Sequence, residues 1–375
     1  KLPAHREKLL LPGLFSYQSL TSVAKIRETK IQLSAFLRRV NADVVHLHDT
    51  PDFRFIRLIS KSYATLLTAH TISPTCPSSA RLTPDSSPCL KTSGWACLLH
   101  NRSYGCLDFL KTDLHRAHAI HNYLLRRRAL RQGLRGILAI SNYVEKTLVA
   151  DGWDQALIRR IPNPVVVPPG PALANAPSPL LLFAGRLAPL KGLETLLRAL
   201  PALLGRPWTL GVCGDGAERE RLERLSRELG LSQRVVFHGQ TTPERTAEMM
   251  RAAIAVIAPN IGPETFGLSV AEACALGVPV VASNMPAVNE LIEDGRTGLL
   301  FPPGDARALS ACLQSVLDAP EAARERAKAA QHFVNTHFSP QAHLAASLKV
   351  YEAAQRAATE HDLRTAQRAE ALSIR

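Results

Sequence analysis

Residues 258–277 read A-P-N-I-G-P-E-T-F-G-L-S-V-A-E-A-C-A-L-G. An apolar run, 252–257, precedes them, and V-P-V-V-A-S (278–283) follows. Both runs predict buried strands. Between them 269–276 predicts a helix, with Gly277 placed to end it. The helix then starts at the carboxyl end of a strand, where free N–H groups and the helix dipole suit an anion. Glu264 in the loop and Glu272 in the expected first helical turn add two carboxylates. A bound phosphate repels them, so they should face the neutral hydroxyls of a sugar. The pattern therefore predicts phosphate on the backbone N–H groups of Gly267 and Leu268 and hydroxyls on Glu264 and Glu272, which is a nucleotide-sugar site. The same spacing also fits two ordinary acids at a helix start.

The rest of the chain narrows the choice. Its 375 residues suggest two domains. No apolar run of transmembrane length and no signal peptide occur, so a cytoplasmic protein is expected, peripheral at the inner membrane face. The net charge of +13 is unevenly placed. Residues 1–161 hold 24 Lys and Arg against 11 Asp and Glu, whereas residues 162–375 hold 21 of each. An excess confined to one half predicts an anionic partner for that half, above all an anionic membrane or an acidic acceptor. The densest piece, 125–136, contains Arg126, Arg127, Arg128, Arg131 and Arg135. It has no interleaved aromatics, which argues against nucleic acid; its bland alternative is a solvated helix face.

Short apolar runs alternate with helical patterns throughout. Residues 23–40 have helical period; 43–49 (D-V-V-H-L-H-D), 66–69 and 137–140 predict strands. Ser141-Asn142 predicts a cap for a helix over 143–150. Seven prolines between 162 and 179 mark a stiff connector. A second series follows, with strands at 180–184, 208–213, 235–238 and 298–301 and helices at 191–204, 217–229, 243–252 and 288–293. Buried strands alternating with helices mean an α/β fold of parallel sheets, with ligands at the carboxyl ends of the strands.

Those ends carry polar residues and glycine. F-A-G-R-L-A-P-L-K-G (183–192) presents Arg186 and Lys191 between Gly185 and Gly192. Two cations five residues apart can neutralise a diphosphate without a metal. C-G-D-G (213–216) and F-H-G-Q (237–240) end the next two strands.

With these motifs in order, the chain resembles glycosyltransferase family 4, retaining transferases of the GT-B fold. The matching elements are G-R-L-A-P-L-K-G, G-D-G, H-G, the Glu264–Glu272 pair and T-G-L-L-F-P-P-G-D (297–305). The resemblance implies two Rossmann-like domains facing a cleft. They would be an acceptor-side domain over 1–168, a donor-binding domain over 169–340, and helices over 341–375 that cross back. It implies catalytic roles for His70, Arg186, Lys191 and Glu264. It places Gly185, Gly214, Asp215, His238, Gly239, Phe266, Gly267, Leu268 and Glu272 around the donor. His70 follows from L-T-A-H-T-I-S-P-T-C-P (67–77), although Thr71 stands where many relatives have an acid. Asp49 either lines the acceptor side or caps the next helix.

The function implied is transfer of a sugar from a UDP-, GDP- or ADP-sugar to an acceptor hydroxyl, with no cofactor. The acceptor would be a glycan, a lipid-linked sugar or a small molecule, in polysaccharide biosynthesis. The family's first strand and Gly-rich turn have no counterpart in residues 1–22. Since the chain begins at Lys1, a missing leading segment is expected. A catalytically impaired nucleotide-sugar binder and a sugar-nucleotide epimerase of the same fold are the alternatives. Cys76, Cys89, Cys97 and Cys106 lack the C-x2-4-C knuckle of zinc sites, so reduced thiols are favoured over a metal.

Overall fold

The computed structural model describes residues 23–78, 81, 89, 91, 93–108, 110–171 and 179–373. The expected absence of a Gly-rich turn over 1–22 lies outside these residues. Within them, ten strands form two wholly parallel sheets.

The first sheet begins with α1 (Val23–Arg39) and β1 (Val44–Leu47). Helix α2 (Phe53–Ser60) returns to β2 (Ala64–Ala69). A Cys-rich excursion with α3 (Cys97–Tyr104) leads to α4 (Asp113–Gly133) and β3 (Leu134–Ala139). Helix α5 (Asn142–Ala150) then leads to β4 (Ile158–Arg160). The strands lie in the order β1-β2-β3-β4. All six residues of β2 are buried, as a strand covered on both faces must be.

The second sheet starts with β5 (Leu180–Ala184), α6 (Leu193–Ala199), β6 (Thr209–Cys213), α7 (Arg219–Glu228) and β7 (Val235–Gly239). Helix α8 (Pro243–Ala252) then carries the chain across to β8 (Ala253–Ala258), α9 (Leu268–Ala275), β9 (Val280–Ser283) and β10 (Leu299–Phe301). The spatial order is β10-β9-β8-β5-β6-β7. Direction of growth thus reverses between β5 and β8. Loops leave these neighbours toward opposite faces and open a crevice at their carboxyl ends, the usual ligand position of such sheets.

Helices α10 (Ala306–Asp318), α11 (Pro320–His337) and α12 (Pro340–Ser373) close the chain. Helix α12 crosses back onto the first sheet. There Ala354, Val350 and Tyr351 pack with Ala64, Leu66 and Leu138. His46 on β1 ties this packing, one ring nitrogen 2.7 Å from the Tyr351 hydroxyl and the other 2.7 Å from Thr68 Oγ1. Burial lowers its pKa to about 4, so it stays neutral and can hold both bonds.

Several expectations need correction. Residues 191–204 do not form one helix: Gly192 and Pro201 split them into α6 and flanking 3-10 turns. Residues 288–293 form only a 3-10 turn, Val288–Glu290, because so short a run between Pro286 and Gly295 cannot sustain a helix. Helix α9 starts at Leu268, so Glu272 stands in its second turn. Asp52, not Asp49, caps α2; Asp49 accepts instead from the N–H of Thr50 at 2.7 Å.

The arginine-rich piece is neither one helix face nor simply solvated. Arg135 belongs to β3, and Arg126 is buried. Arg127 and Arg131 both donate to the carbonyl of Asp151, 2.7 Å away. The Asp151 carboxylate is fully buried among Arg81, Arg127 and Arg131. Arg81 also donates to the carbonyls of Thr75 and Cys89, so this node anchors the Cys-rich excursion to α4 and α5.

Two contacts join the halves by charge. The Glu290 carboxylate accepts from the N–H groups of Asn142 at 2.8 Å and Tyr143 at 3.0 Å, capping α5 from across the junction. Charged hydrogen bonds of this kind contribute about 1.5–3 kcal/mol. Glu290→Ala is therefore expected to lower the unfolding free energy in urea by about 2 kcal/mol. An unchanged denaturation midpoint would show that the cap contributes nothing.

Candidate active site at the facing strand ends

Backbone bonds stitch the strand-end loops of the second sheet together. Gly185 donates to the Cys213 carbonyl at 2.9 Å, Leu187 to Asp215 at 2.9 Å, and Gly214 to Gly239 at 2.8 Å. A Cβ on Gly214 would sit 1.9 Å from the Gly185 carbonyl oxygen, so only glycine allows that approach.

The loop after β5 also lies on the loop after β8. Ile261 and Gly262 donate to the Leu190 carbonyl at 3.0 and 3.2 Å. Gly192, at φ +66°, would place a Cβ 1.9 Å from the Pro259 carbonyl oxygen. This close approach brings Lys191 onto Glu264, with an ion pair between Nζ and Oε1. Asn260 Nδ2 donates to the same oxygen. Both partners of the ion pair are half-buried. Arg186, at the other end of its loop, is exposed and pairs with no acid among the described residues.

Glu272 differs from Glu264. It is half-buried, makes no side-chain hydrogen bond among the described residues, and burial alone raises its pKa. Gly267 gives α9 no side-chain cap, so the first-turn N–H groups remain open to a ligand. Leu268 is exposed beside them. Phe266 is not: its ring is buried and meets Phe338 edge-on at 5.8 Å, as a core pillar under the loop.

His70 follows β2 and faces this loop from the first sheet. Thr265 Oγ1 donates to the His70 carbonyl at 2.9 Å, which ties His70 to the residue after Glu264. The His70 ring stacks on His48, with Nε2 3.1 Å from His48 Nδ1. Burial first, and His48 second, lower the His70 pKa, so it is neutral near pH 7. Neither His238 nor Asp215 has a side-chain bond to this cluster among the described residues. His238 is exposed at the end of β7. Asp215 accepts from Gly216 N at 2.7 Å and pairs with Arg219 at 3.0 Å, steadying its own turn.

Structure thus brings Lys191, Glu264, Thr265 and His70 together, while the side chains of Arg186 and Glu272 keep no partner among the described residues and α9 has no side-chain cap. Asn260, Thr265 and His48 were missed from the sequence. A polar residue closing an apolar strand could have flagged Asn260, which is buried. The first of the H-x-H pair ties α12, and only the second, His48, turns to His70.

The four cysteines of the excursion are free and half-buried. Burial pushes the Cys106 thiol up to about 11 and raises that of Cys97. Among the described residues no three His, Cys, Asp or Glu side chains are placed to hold a metal ion.

Comparison with known proteins agrees with this architecture. Residues 3–167 match the family model Glycosyltransferase Family 4, and residues 171–333 match Glycosyl transferases group 1. The glycogen synthase of Mycobacterium tuberculosis is 34% identical over 178 residues, which cover 47% of this chain and 43% of that protein. The match thus spans less than half of that relative's length. Among solved structures, a glycosyltransferase from Rickettsia africae superposes with a TM-score of 0.65 at 18% identity, covering 90% of this chain and 83% of its own. Anabaena HepE, solved with UDP-glucose, superposes with a TM-score of 0.62 at 17% identity, covering 90% and 84%. Two parallel sheets in this order, the two family matches and these neighbours together make the chain a GT-B protein of glycosyltransferase family 4.

Proposed function

We propose that the protein is a retaining glycosyltransferase that moves a sugar from a nucleotide-diphosphate sugar to an acceptor hydroxyl. The observation that carries this reading is the cluster of Lys191, Glu264 and Asn260 beside the open N-terminus of α9, with Arg186 unpaired at its edge. Such a site offers cations and N–H donors to a diphosphate, and a carboxylate to sugar hydroxyls. The Anabaena neighbour with bound UDP-glucose supports a nucleotide-sugar donor and puts UDP-sugars first among those to test.

In the proposed reaction the diphosphate lies against Arg186, Lys191 and the N–H groups of Gly267 and Leu268. These groups stabilise the charge that builds on the leaving phosphate. As the phosphate draws Lys191, Glu264 is released to accept from a sugar hydroxyl, and Glu272 binds the ribose. Neutral His70 offers a hydrogen bond near the sugar rather than a charge. With Glu264 and Glu272 both assigned to binding, no second carboxylate pair suggests a covalent glycosyl intermediate. Retention is assigned to attack from the face that the phosphate leaves, with the phosphate taking the acceptor's proton. The cations take the part that a divalent ion plays elsewhere, so the activity should persist in EDTA. The acceptor is a glycan, a lipid-linked sugar or a small molecule, reached at an anionic membrane surface.

Thermal shift against UDP-, GDP- and ADP-sugars tests the donor site. A ligand at a hundredfold excess over Kd stabilises the native state by about 2.7 kcal/mol. One nucleotide should raise the Tm of the wild type, and Arg186→Ala should lose that rise. Equal stabilisation of both proteins would place the diphosphate elsewhere.

Glu272 gives a second test with a pH signature. Its folded pKa is raised, so its carboxylate destabilises the fold above that pKa, and the cost vanishes as pH falls below the unfolded value of about 4.3. Glu272→Gln should therefore raise the Tm at neutral pH, leave it unchanged near pH ~4, and weaken donor binding. A variant that is less stable at neutral pH, or binds donor normally, counts against this role.

A further inference from the structure

We infer that the face built by α3 and the exposed side of α4 is the surface through which the protein docks on an anionic bilayer. This deepens the proposed membrane-surface acceptor and rests on that reading. Three of the most exposed large apolar side chains lie here: Trp95 at 52%, Leu99 at 67% and Leu114 at 78%. Trp95 stands in the turn just before α3 and Leu99 in the first turn of the helix, four positions on. The Trp95 ring meets His121 of α4, at 6.1 Å between centroids. Along α4, Leu114, His118, His121, Leu125, Arg128 and Gln132 recur at helical spacing on one stripe. Ile120, Tyr123 and Leu130, on the opposite side, enter the core.

The charge on this face is net positive, since its two exposed acids are outnumbered by its basic side chains. Asp108 and Asp113 are both paired with Arg116. Arg102, Lys111 and Arg128 are exposed and have no acid partner among the described residues. Next to Arg128 a surface groove of about 350 Å3 is lined by Leu124, Arg127, Arg131 and Gln132. Beneath it Asp151 is the single carboxylate among Arg81, Arg127 and Arg131, so two positive charges remain in excess. Apolar side chains that project from a basic face fit a bilayer interface: rings and leucines enter the headgroup boundary while the cations meet lipid phosphates. Nucleic acid would use the cations but has no use for Leu99 and Leu114.

The three tryptophans make the test specific. Trp153 and Trp208 are 4% and 2% exposed, so a change in emission on docking reports Trp95. The full chain is mixed with vesicles of phosphatidylcholine alone or of phosphatidylcholine with phosphatidylglycerol. A blue shift is expected with the anionic vesicles only. It should disappear in Trp95→Phe, and the partition coefficient should fall about tenfold or more in Leu99→Asp/Leu114→Asp, which places two acids in the interface. Donor-induced thermal stabilisation of each variant, measured beside it, should match the wild type. An absent shift, an equal shift with neutral vesicles, or vesicle binding that the double variant retains overturns the surface. So does salt-sensitive RNA binding that the leucines do not affect. If the wild type ignores vesicles yet gains stability from a nucleotide sugar, this surface is wrong and the transferase reading stands. If it responds to neither, both fall.

Discussion

The candidate site depends on the absence of one side chain. At Gly192 the backbone of the loop after β5 touches that of the loop after β8, and a methyl group there would lie 1.9 Å from the Pro259 carbonyl oxygen. Because the two can touch, Leu190 accepts two backbone bonds from Ile261 and Gly262. Lys191 is then turned onto Glu264. Arg186, five residues earlier on the same loop, leaves the strand before this contact and stays exposed. One backbone approach therefore gives two neighbouring cations different states: one engaged, one open. The topology sets the stage for it, because β5 and β8 become neighbours only where the strand order reverses.

Much of this was legible in the sequence, for definite reasons. Strands buried on both faces read as short apolar runs, so β5, β8 and β9 stood out without knowledge of their partners. Glycine and polar residues at their ends marked the loops. Illegible were the pairings that only a fold can make. Lys191 and Glu264 are 73 positions apart, and Glu290 caps a helix 148 positions away. Arginine density over 125–136 read as one charged face, because nothing local announces that Asp151 would gather Arg127 and Arg131 inward. Helix α9 began one residue early because Gly267, not Ser269, sets its start, which carried Glu272 into the second turn.

Three glutamates near the junction show how environment divides one chemistry. Glu264 is held by a lysine and an amide. Glu290 is held by two backbone N–H groups of the other half. Glu272 is desolvated without a partner, and its pKa rises. The first two have their hydrogen bonds in the structure as it stands. The third has no side-chain hydrogen bond among the described residues, and an unmet carboxylate in a half-buried site is costly until hydroxyls reach it. Of the three, Glu272 has most to gain from a polyhydroxylated ligand.

The Lys191–Glu264 pair bears on how such a ligand enters. In the proposed reaction, a diphosphate arriving at α9 would compete with Glu264 for Lys191, and a phosphate carries the greater charge. If Lys191 shifts toward it, Glu264 loses its strongest partner while Asn260 still fixes its position. Its freed lone pairs then face the space where the sugar follows its phosphate. In that exchange Asn260 and the hydroxyls of the sugar would take over the half-buried Glu264 carboxylate, which limits the penalty of leaving it without its cation. Thr265 adds the link across the junction: its hydroxyl holds the His70 carbonyl, so a shift in the Glu264 loop reaches the first sheet directly. In the proposed reaction, donor occupancy and the placement of His70 would be coupled through that hydrogen bond.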